Sequence, residues 1–300
     1  MSKRHKTEKF DREDLERLKK GEDLTEQDYD EEGWEEVEID LDEPIKKSAK
    51  KVKTSKTLPI EILYQDEHVL VINKPSGLDS TRGQFVHEET VLDRLERQLP
   101  DLAEPLRLVH RLDRDTSGAM VLAKTVEAQR KLCPQWETRT VEKTYLAIVH
   151  GVVHEPQGTI DLPLKKTSSA KRPVLPDPAK GKSAVTEYVV LDQFRQYALV
   201  QAHPITGRMH QVRVHFASQG TPLLVDKLYG SEAPLMLSDF KRGYRPSGRK
   251  GQEKPLIART ALHAHTLAFD HPTTGERLNF TVEPPKDFAA VVKQLGKYGR

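Results

Sequence analysis

Residues 110–118 read His-Arg-Leu-Asp-Arg-Asp-Thr-Ser-Gly, and apolar runs at 106–109 and 119–123 flank them. Short apolar runs bounded by turn residues are typical of buried strands, so we predict that this nonapeptide is the loop between two strands. Arginines on both sides of Asp113 would hold its carboxylate ionised, and the same arginines attract a polyanion. The loop therefore has the composition of a reactive site. A salt-bridged turn with a local Asp or Thr cap is the alternative that composition leaves open.

Strand patterns dominate the rest of the chain, and few of them occur in strand-helix-strand order. Apolar spacing predicts helices at 90–99 and at 126–136, the second ending near Pro134. Continuous or alternating apolar runs predict strands at 58–63, 68–72, 119–123, 144–149, 186–191, 197–202 and 266–269. This order of elements predicts an α+β fold with a mixed, mostly antiparallel sheet.

Charge divides the chain into two parts. Residues 22–43 contain thirteen acidic side chains and no Lys or Arg, and residues 1–57 as a whole carry a net charge of −4. Blocks of like charge with few apolar residues do not fold alone, so we predict a disordered charged tail at 1–57 and a folded domain at 58–300. The folded part carries a net charge of +6, a sign that suits a nucleic-acid partner.

Cysteine content and hydropathy argue against a disulfide-rich secreted protein and against a membrane-spanning protein. Cys133 is the one cysteine, so no intramolecular disulfide framework can form and a reducing compartment is expected. The sequence shows no apolar run long enough to span a bilayer and no charged-then-apolar leader. We therefore expect a cytoplasmic protein without a membrane partner.

The nonapeptide also resembles the catalytic motif of the RluA-type pseudouridine synthases, enzymes that isomerise uridine in RNA to its C-glycoside. Further stretches match that family in its own order, and the match spans residues 60–285. They are Tyr-Gln-Asp-Glu-His-Val-Leu-Val-Ile-Asn-Lys-Pro-Ser-Gly at 64–77, Lys-Thr-Tyr-Leu-Ala-Ile-Val-His-Gly at 143–151, His-Pro-Ile-Thr-Gly-Arg-Met-His-Gln-Val-Arg-Val-His at 203–215, Pro-Leu-Leu-Val-Asp with Tyr-Gly at 222–230, and His-Ala-His at 263–265. The resemblance implies that residues 58–300 form the family's catalytic domain, with a mixed, mostly antiparallel sheet and a central RNA-binding cleft.

The same resemblance implies three residues for the chemistry. Asp113 would be the nucleophile, and its attack on the ribose or on the base stays open. Arg213 would be the ion-pair partner that keeps this carboxylate charged in a pocket closed against water. Tyr145 matches the family's active-site tyrosine, which stacks on the target base and is proposed to move a proton, although without the resemblance it is interpreted as a core aromatic. The isomerisation involves no redox change and no external group, so neither a cofactor nor a metal is expected.

Four more residues are implied to bind the substrate. A uridine inside a helix has to be flipped out, at a cost on the order of a few kcal/mol in lost stacking. Arg111 is expected to fill the vacated space, and Leu223 to form an apolar wall below the base. Arg208 is assigned to phosphate binding and His110 to the substrate pocket.

The implied partner is RNA, ribosomal or transfer, bound by a monomer. Loops at 165–182 and 241–254 carry six Lys and Arg each and could follow a phosphate backbone, although solvated loops are often lysine-rich for other reasons. Residues 78–82 read Leu-Asp-Ser-Thr-Arg where many relatives have an apolar pair and a His-Pro turn, so the part of this segment in substrate selection stays open. A catalytically inactive RNA-binding relative is the alternative function, and the presence of all three chemical residues weighs against it.

Histidines suggest a different class of protein, a metal-assisted hydrolase. The ligands of such a site would come from His203, His210, His215, His263 and His265. In an extended strand, however, the step of five residues from His210 to His215 points the two rings to opposite faces, and no carboxylate or thiol completes a ligand set. We therefore predict no metal site and expect these histidines to make structural hydrogen bonds or to contact RNA.

Overall fold

A computed structural model describes residues 58–81, 89–245 and 253–300, so the predicted tail at 1–57 and residues 246–252 of the second basic loop lie outside the described residues. The strands are β1 (Glu61–Gln65), β2 (Val69–Lys74), β3 (Arg107–Leu108), β4 (Ser117–Ala123), β5 (Glu142–His150), β6 (Gln157–Asp161), β7 (Leu164–Lys166), β8 (Val174–Pro176), β9 (Val185–Gln193), β10 (Tyr197–Pro204), β11 (Leu262–Asp270) and β12 (Arg277–Thr281). The helices are α1 (Val91–Gln98), α2 (Val126–Glu137), α3 (Gln211–Ser218) and α4 (Lys286–Tyr298), with a short 3₁₀ helix at Leu237–Asp239.

Ten of these strands form one sheet in the order β1-β2-β4-β11-β5-β10-β9-β6, with β3 paired to β4 and β12 paired to β11. The pair β4–β11 is parallel and the other pairs are antiparallel. The predicted α+β fold with a mixed, mostly antiparallel sheet is confirmed. Strands β7 and β8 pair with each other inside the segment at 165–182, which the sequence indicated to be a loop.

Strand β5 shows how the sheet is covered on both faces. Ala147 and Val149 pack in a cluster that contains residues of α3, whereas Leu146 and Ile148 pack in a cluster that contains residues of α4. Because successive side chains of a strand point to opposite faces, the two helices cover opposite faces of the sheet. Burying each large apolar side chain contributes roughly 1.5–3 kcal/mol, so both layers stabilise the sheet that carries the site.

Gly118, the last residue of the nonapeptide, permits the parallel pair in the middle of the sheet. Its φ is +117°, and a Cβ at this position would collide with the backbone carbonyl of Ala264 on β11. Glycine lacks that atom and tolerates the positive φ. The loop at 110–118 can therefore enter β4 directly beside β11, which brings the nonapeptide to the centre of the sheet.

The predicted helices are confirmed with small differences. Thr90 caps α1, since its Oγ1 accepts the backbone N–H of Asp93 while the Asp93 carboxylate accepts the N–H of Thr90. Helix α2 continues to Glu137 rather than ending near Pro134. A proline so close to the end of a helix removes one backbone hydrogen bond of the last turn, and the remaining turn still forms.

Helix α3 was not predicted, and its burial explains why. Its residues Val212 to Phe216 alternate apolar and polar types as a strand does, yet all of them are buried, so no apolar stripe of helical period exists. The argument that His210 and His215 lie on opposite faces of a strand was therefore wrong in its premise. His210 instead precedes the helix in the left-handed conformation, with φ of +54°.

Candidate active site

Asp113 lies in the loop between β3 and β4, and a buried lysine holds the backbone of this loop. The ammonium of Lys74, at the end of β2, donates to the carbonyls of Asp113 at 3.2 Å, Arg114 at 3.1 Å and Thr116 at 2.9 Å, and to that of Pro75 at 3.1 Å. Lys74 is fully buried, and burial lowers its pKa to about 7. Three of these four carbonyls belong to the loop, so Lys74 leaves it little freedom to rearrange.

Two further side chains hold the same loop from other parts of the chain. Ser80 Oγ donates to the carbonyl of Leu112 at 2.7 Å and accepts the N–H of that residue at 3.1 Å. Arg259 donates to the carbonyl of Asp115 at 3.1 Å while it pairs with Asp287 of α4 at 2.7 and 2.9 Å. The backbone on both sides of Asp113 is thus fixed before any substrate binds, which is the usual requirement for a preorganised reactive group.

The sequence did not identify Lys74, Ser80 or Arg259 as site residues. Lys74 belongs to the stretch at 64–77 that resembles the family, but a lysine before a proline gives no sign of being buried. Ser80 lies in the segment at 78–82 where the chain departs from many relatives, and the described part of that segment braces the loop. A buried lysine is detectable only when the fold is known.

Asp113 forms an ion pair with Arg213 of α3, and the pair has a third member. Arg213 Nη1 donates to Asp113 Oδ2 at 2.9 Å, and its Nε and Nη2 donate to the two carboxylate oxygens of Asp226 at 2.8 and 2.9 Å. Asp226 is fully buried and also accepts the backbone N–H groups of Leu228 and Tyr229. Asp226 therefore orients the guanidinium that faces Asp113, a function that the sequence did not assign to it.

The surroundings of Asp113 favour its ionised form. Burial opposes ionisation, but the charges of His210 and Arg213, the hydrogen bond from Arg213 and the charge of Arg111 together hold its pKa below the usual value. His210 Nε2 lies 3.8 Å from Asp113 Oδ1, and His210 Nδ1 forms a hydrogen bond of 2.8 Å with the hydroxyl of Tyr229. Burial lowers the pKa of His210, so this ring is neutral near pH 7 and at that pH the charges of Arg213 and Arg111 keep Asp113 ionised. The result is an anionic oxygen in a side chain that is 21% exposed.

Tyr145 lies near Asp113, whose charge acts on its phenol, and Leu223 is a core residue of the apolar cluster behind it. Tyr145 is paired across the sheet with Ala202 of β10 and Ala264 of β11, so small side chains flank its ring. It packs against the apolar cluster that contains the buried Leu223. Burial and the charge of Asp113 raise the pKa of Tyr145, so at neutral pH it is a phenol that can donate a hydrogen bond and cannot act as an anion. Leu223 is almost completely buried, so its contact with the base stays a prediction.

His110 and Arg208 have protein partners in the structure. The His110 ring stacks on Trp136 with centroids 4.8 Å apart, and its Nε2 accepts the backbone N–H of Val121 at 3.1 Å. Burial, and to a smaller extent the charge of Lys143, lowers the pKa of His110 to about 3. Arg208 donates through Nε to the carbonyl of Ser183 at 3.1 Å. These contacts show a packing role for His110 and a backbone anchor for Arg208, and they leave the predicted contacts with RNA untested.

The described residues contain no group of three or more His, Cys, Asp or Glu side chains placed to hold a metal ion. The histidines in question have protein partners instead. His215 bonds Thr186 Oγ1 at 2.9 Å, and His263 bonds Ser117 Oγ at 3.0 Å. The metal-assisted hydrolase gains no support from them.

Within the same described ranges, no helix has the length and apolar character needed to cross a membrane.

Comparison with known proteins identifies the family of the chain. The family model described as RNA pseudouridylate synthase matches residues 68–218. The ribosomal large subunit pseudouridine synthase D of Pseudomonas aeruginosa is 39% identical over 240 residues, which cover 79% of this chain and 72% of that protein. The uncharacterized RNA pseudouridine synthase YlyB of Bacillus subtilis is 36% identical over 253 residues, which cover 81% of this chain and 75% of that protein.

Solved structures lead to the same family. The human RNA pseudouridylate synthase domain containing 4 superposes with a TM-score of 0.59 at 28% identity, covering 79% of this chain and 93% of that one. The human RNA pseudouridylate synthase domain containing 1 superposes with a TM-score of 0.57 at 27% identity, covering 75% of this chain and 84% of that one. The chain therefore belongs to the RNA pseudouridylate synthase family and is an isomerase that acts on RNA.

Proposed function

We propose that this chain converts one or more uridines of large-subunit ribosomal RNA to pseudouridine, with Asp113 as the nucleophile. The observation that carries the proposal is the ionised Asp113 carboxylate, 2.9 Å from Arg213 on a loop with its backbone fixed from three directions. Ribosomal RNA is chosen because relatives at 38% and 39% identity are named for the large ribosomal subunit. The enzyme acts in the cytoplasm as a monomer.

The reaction breaks the bond between the base nitrogen and the ribose, rotates the base, and forms a bond from the ribose to a ring carbon. The ring carbon that joins the ribose loses its proton and the released base nitrogen gains one, so substrate and product have the same atoms and the same oxidation state. The protein has to supply a nucleophile, a group that moves this proton, a dry pocket and a means of holding the free base. Asp113 supplies the nucleophilic oxygen. Tyr145 stacks on the base during its rotation and moves the proton, and the buried apolar cluster that contains Leu223 supports the tyrosine from behind.

Arg111 is proposed to act before the chemistry, when the target base leaves its stack. It lies two residues before Asp113 on the same loop, and its charge contributes to the lowered pKa of Asp113. A guanidinium that close to the nucleophile can occupy the space of the flipped base and pair with nearby phosphates. Arg208 would bind a phosphate farther along the strand.

Mapping of pseudouridines tests the proposal directly. Ribosomal and transfer RNA from cells with and without this gene are compared, and the deletion is complemented with the parent, Asp113→Asn or Asp115→Asn. Asp115 is the matched control because the same change is made in the same loop, two residues away. We expect a large-subunit ribosomal uridine that is modified with the parent and with Asp115→Asn but not with Asp113→Asn. A modified site found only in transfer RNA would contradict the choice of RNA, and no changed site in either RNA would contradict the function.

A further inference from the structure

Lys143 lies at the border of the Asp113 site. It stands two residues before Tyr145 on β5, so the two side chains leave the same face of the sheet. A Cβ placed on Gly207 would lie 3.5 Å from Lys143 Nζ, so the ammonium rests against the loop that leads into His210 and α3. The charge of Lys143 also lowers the pKa of His110, which places it near the loop of the nucleophile.

Lys143 differs from the other cations of the site in having neither a hydrogen-bond partner nor an ion-pair partner among the described residues. Lys74 donates to carbonyls, Arg213 pairs with two carboxylates, and Arg259 pairs with Asp287. Among the described residues, by contrast, Lys143 forms no ion pair and no side-chain hydrogen bond. The residue is half-buried, and burial lowers its pKa to about 8. A desolvated ammonium without a partner is costly, so its presence calls for an anion that arrives with the substrate.

The substrate brings such an anion to this position. Residues two apart on a strand stand roughly 6.6 Å apart, which is comparable to the distance from a nucleoside's base to a phosphate on its own ribose. A base held over Tyr145 therefore brings a backbone phosphate to the neighbourhood of Lys143. The missing side chain at Gly207 keeps the approach to the ammonium open.

We propose that Lys143 binds a backbone phosphate of the target nucleotide and so positions the flipped uridine over Tyr145. The proposal rests on the function proposed above, since it requires an RNA substrate in the Asp113 site. The phosphate on the 5′ side and the phosphate on the 3′ side of the uridine have the same chemistry, so the experiment compares them.

Binding is measured with the full chain carrying Asp113→Asn, which prevents turnover, and the ribosomal stem-loop that contains the mapped uridine. Lys143→Met removes the charge at nearly constant length, and Lys143→Arg keeps it. Lys131→Met is the matched control, since Lys131 is a half-exposed lysine on α2 whose loss changes the net charge equally. We expect Lys143→Met to raise the Kd for RNA roughly tenfold, which is the loss expected for one charge-assisted hydrogen bond. The slope of the logarithm of the binding constant against the logarithm of the salt concentration should become less steep by about 0.7–0.9. Lys143→Arg and Lys131→Met should bind within about threefold of the parent.

A neutral methylphosphonate in place of either phosphate identifies the contact. At the phosphate that Lys143 binds, the methylphosphonate should weaken the binding of the parent and should have no further effect on Lys143→Met. The proposal would be overturned if, at both linkages, the loss of affinity from the methylphosphonate added to the loss from Lys143→Met. It would also be overturned if the Lys143→Met protein bound RNA as tightly as the Lys131→Met protein. Thermal unfolding of each variant shows whether a loss reflects misfolding, and Lys143→Arg then decides whether the charge matters. If the parent enzyme forms pseudouridine while Lys143→Met behaves like the control, only this inference fails; if the parent forms none, the proposed function fails and this inference fails with it.

Discussion

Replacement of Asp226 by Asn tests whether this buried carboxylate orients Arg213. Asp226 is fully buried, and its two oxygens accept the Nε and Nη2 hydrogens of Arg213 at 2.8 and 2.9 Å. One of the two oxygens also accepts the backbone N–H groups of Leu228 and Tyr229. Asparagine has one oxygen and one NH₂ group, so in either orientation a donor faces a donor. Asp226→Asn therefore removes the charge and also breaks at least one hydrogen bond.

The expected loss follows from the burial of the pair. Removing one partner of a buried ion pair costs about 3–5 kcal/mol because the other charge is left uncompensated. Arg213 keeps its bond to Asp113, so we expect the lower end, about 3 kcal/mol, and a Tm decrease on the order of 10 °C for a domain of this size. The kcat should fall more than tenfold, because a guanidinium without Asp226 no longer holds a fixed position beside Asp113.

The assay is equilibrium unfolding by urea and by heat, together with single-turnover rates on the mapped RNA. Asp192→Asn is the matched control, since Asp192 pairs with Arg300 at 3.1 Å on the surface and the chemical change is the same. A surface pair contributes about 0–1 kcal/mol, so this control should be nearly neutral in stability and rate. An Asp226→Asn protein that matches Asp192→Asn in both measurements would show that Arg213 does not depend on Asp226.

Asp113→Asn should leave folding and RNA binding nearly unchanged while it abolishes isomerisation, because asparagine has the shape but not the nucleophilicity of the carboxylate; turnover within tenfold of the parent would contradict the assignment. Arg111→Ala should lose more activity on a folded stem-loop than on a short unstructured oligonucleotide with the same uridine, whereas Arg213→Ala should lose activity equally on both. Equal ratios for the two mutants would refute this division of roles. Lys74→Met should lower kcat at least tenfold with little change in Kd, since Lys74 contacts the loop rather than the RNA. Burial lowers the pKa of Lys74 to about 7 in the folded chain, whereas a lysine of the unfolded chain has a pKa of roughly 10.4. Between these two pH values Lys74 is protonated in the unfolded chain and neutral in the folded one, so the stability of the parent should rise with pH relative to that of Lys74→Met. Parallel curves of stability against pH would contradict the lowered pKa of Lys74. Deletion of residues 1–57 should leave turnover of the cognate RNA intact, and a large loss of activity would show that the acidic segment takes part.

Local pattern was a reliable guide where one face of an element is buried and the other is not. The alternation around Tyr145 predicted β5, and the helical spacing at 90–99 predicted α1. The same reasoning failed for α3, which is buried on all sides and alternates like a strand. The period of the apolar residues indicates helix or strand only when one face of the element is exposed to solvent and therefore polar. Helix α4 was missed although Phe288, Val291 and Leu295 have helical spacing and are buried.

By itself, the sequence determines the family and the fold class, and it predicts the reactive loop, because the residues that carry the resemblance lie in short contiguous motifs. It does not determine which charges are buried. Lys74 reaches the carbonyl of Asp113 across 39 residues, and Arg259 reaches the carbonyl of Asp115 across 144. Such contacts depend on the order of β2, β4 and β11 in the sheet, and burial is a property of the packed chain rather than of any segment. Only the tertiary structure therefore decides that the loop of Asp113, the proposed nucleophile, is held by side chains from both ends of the domain.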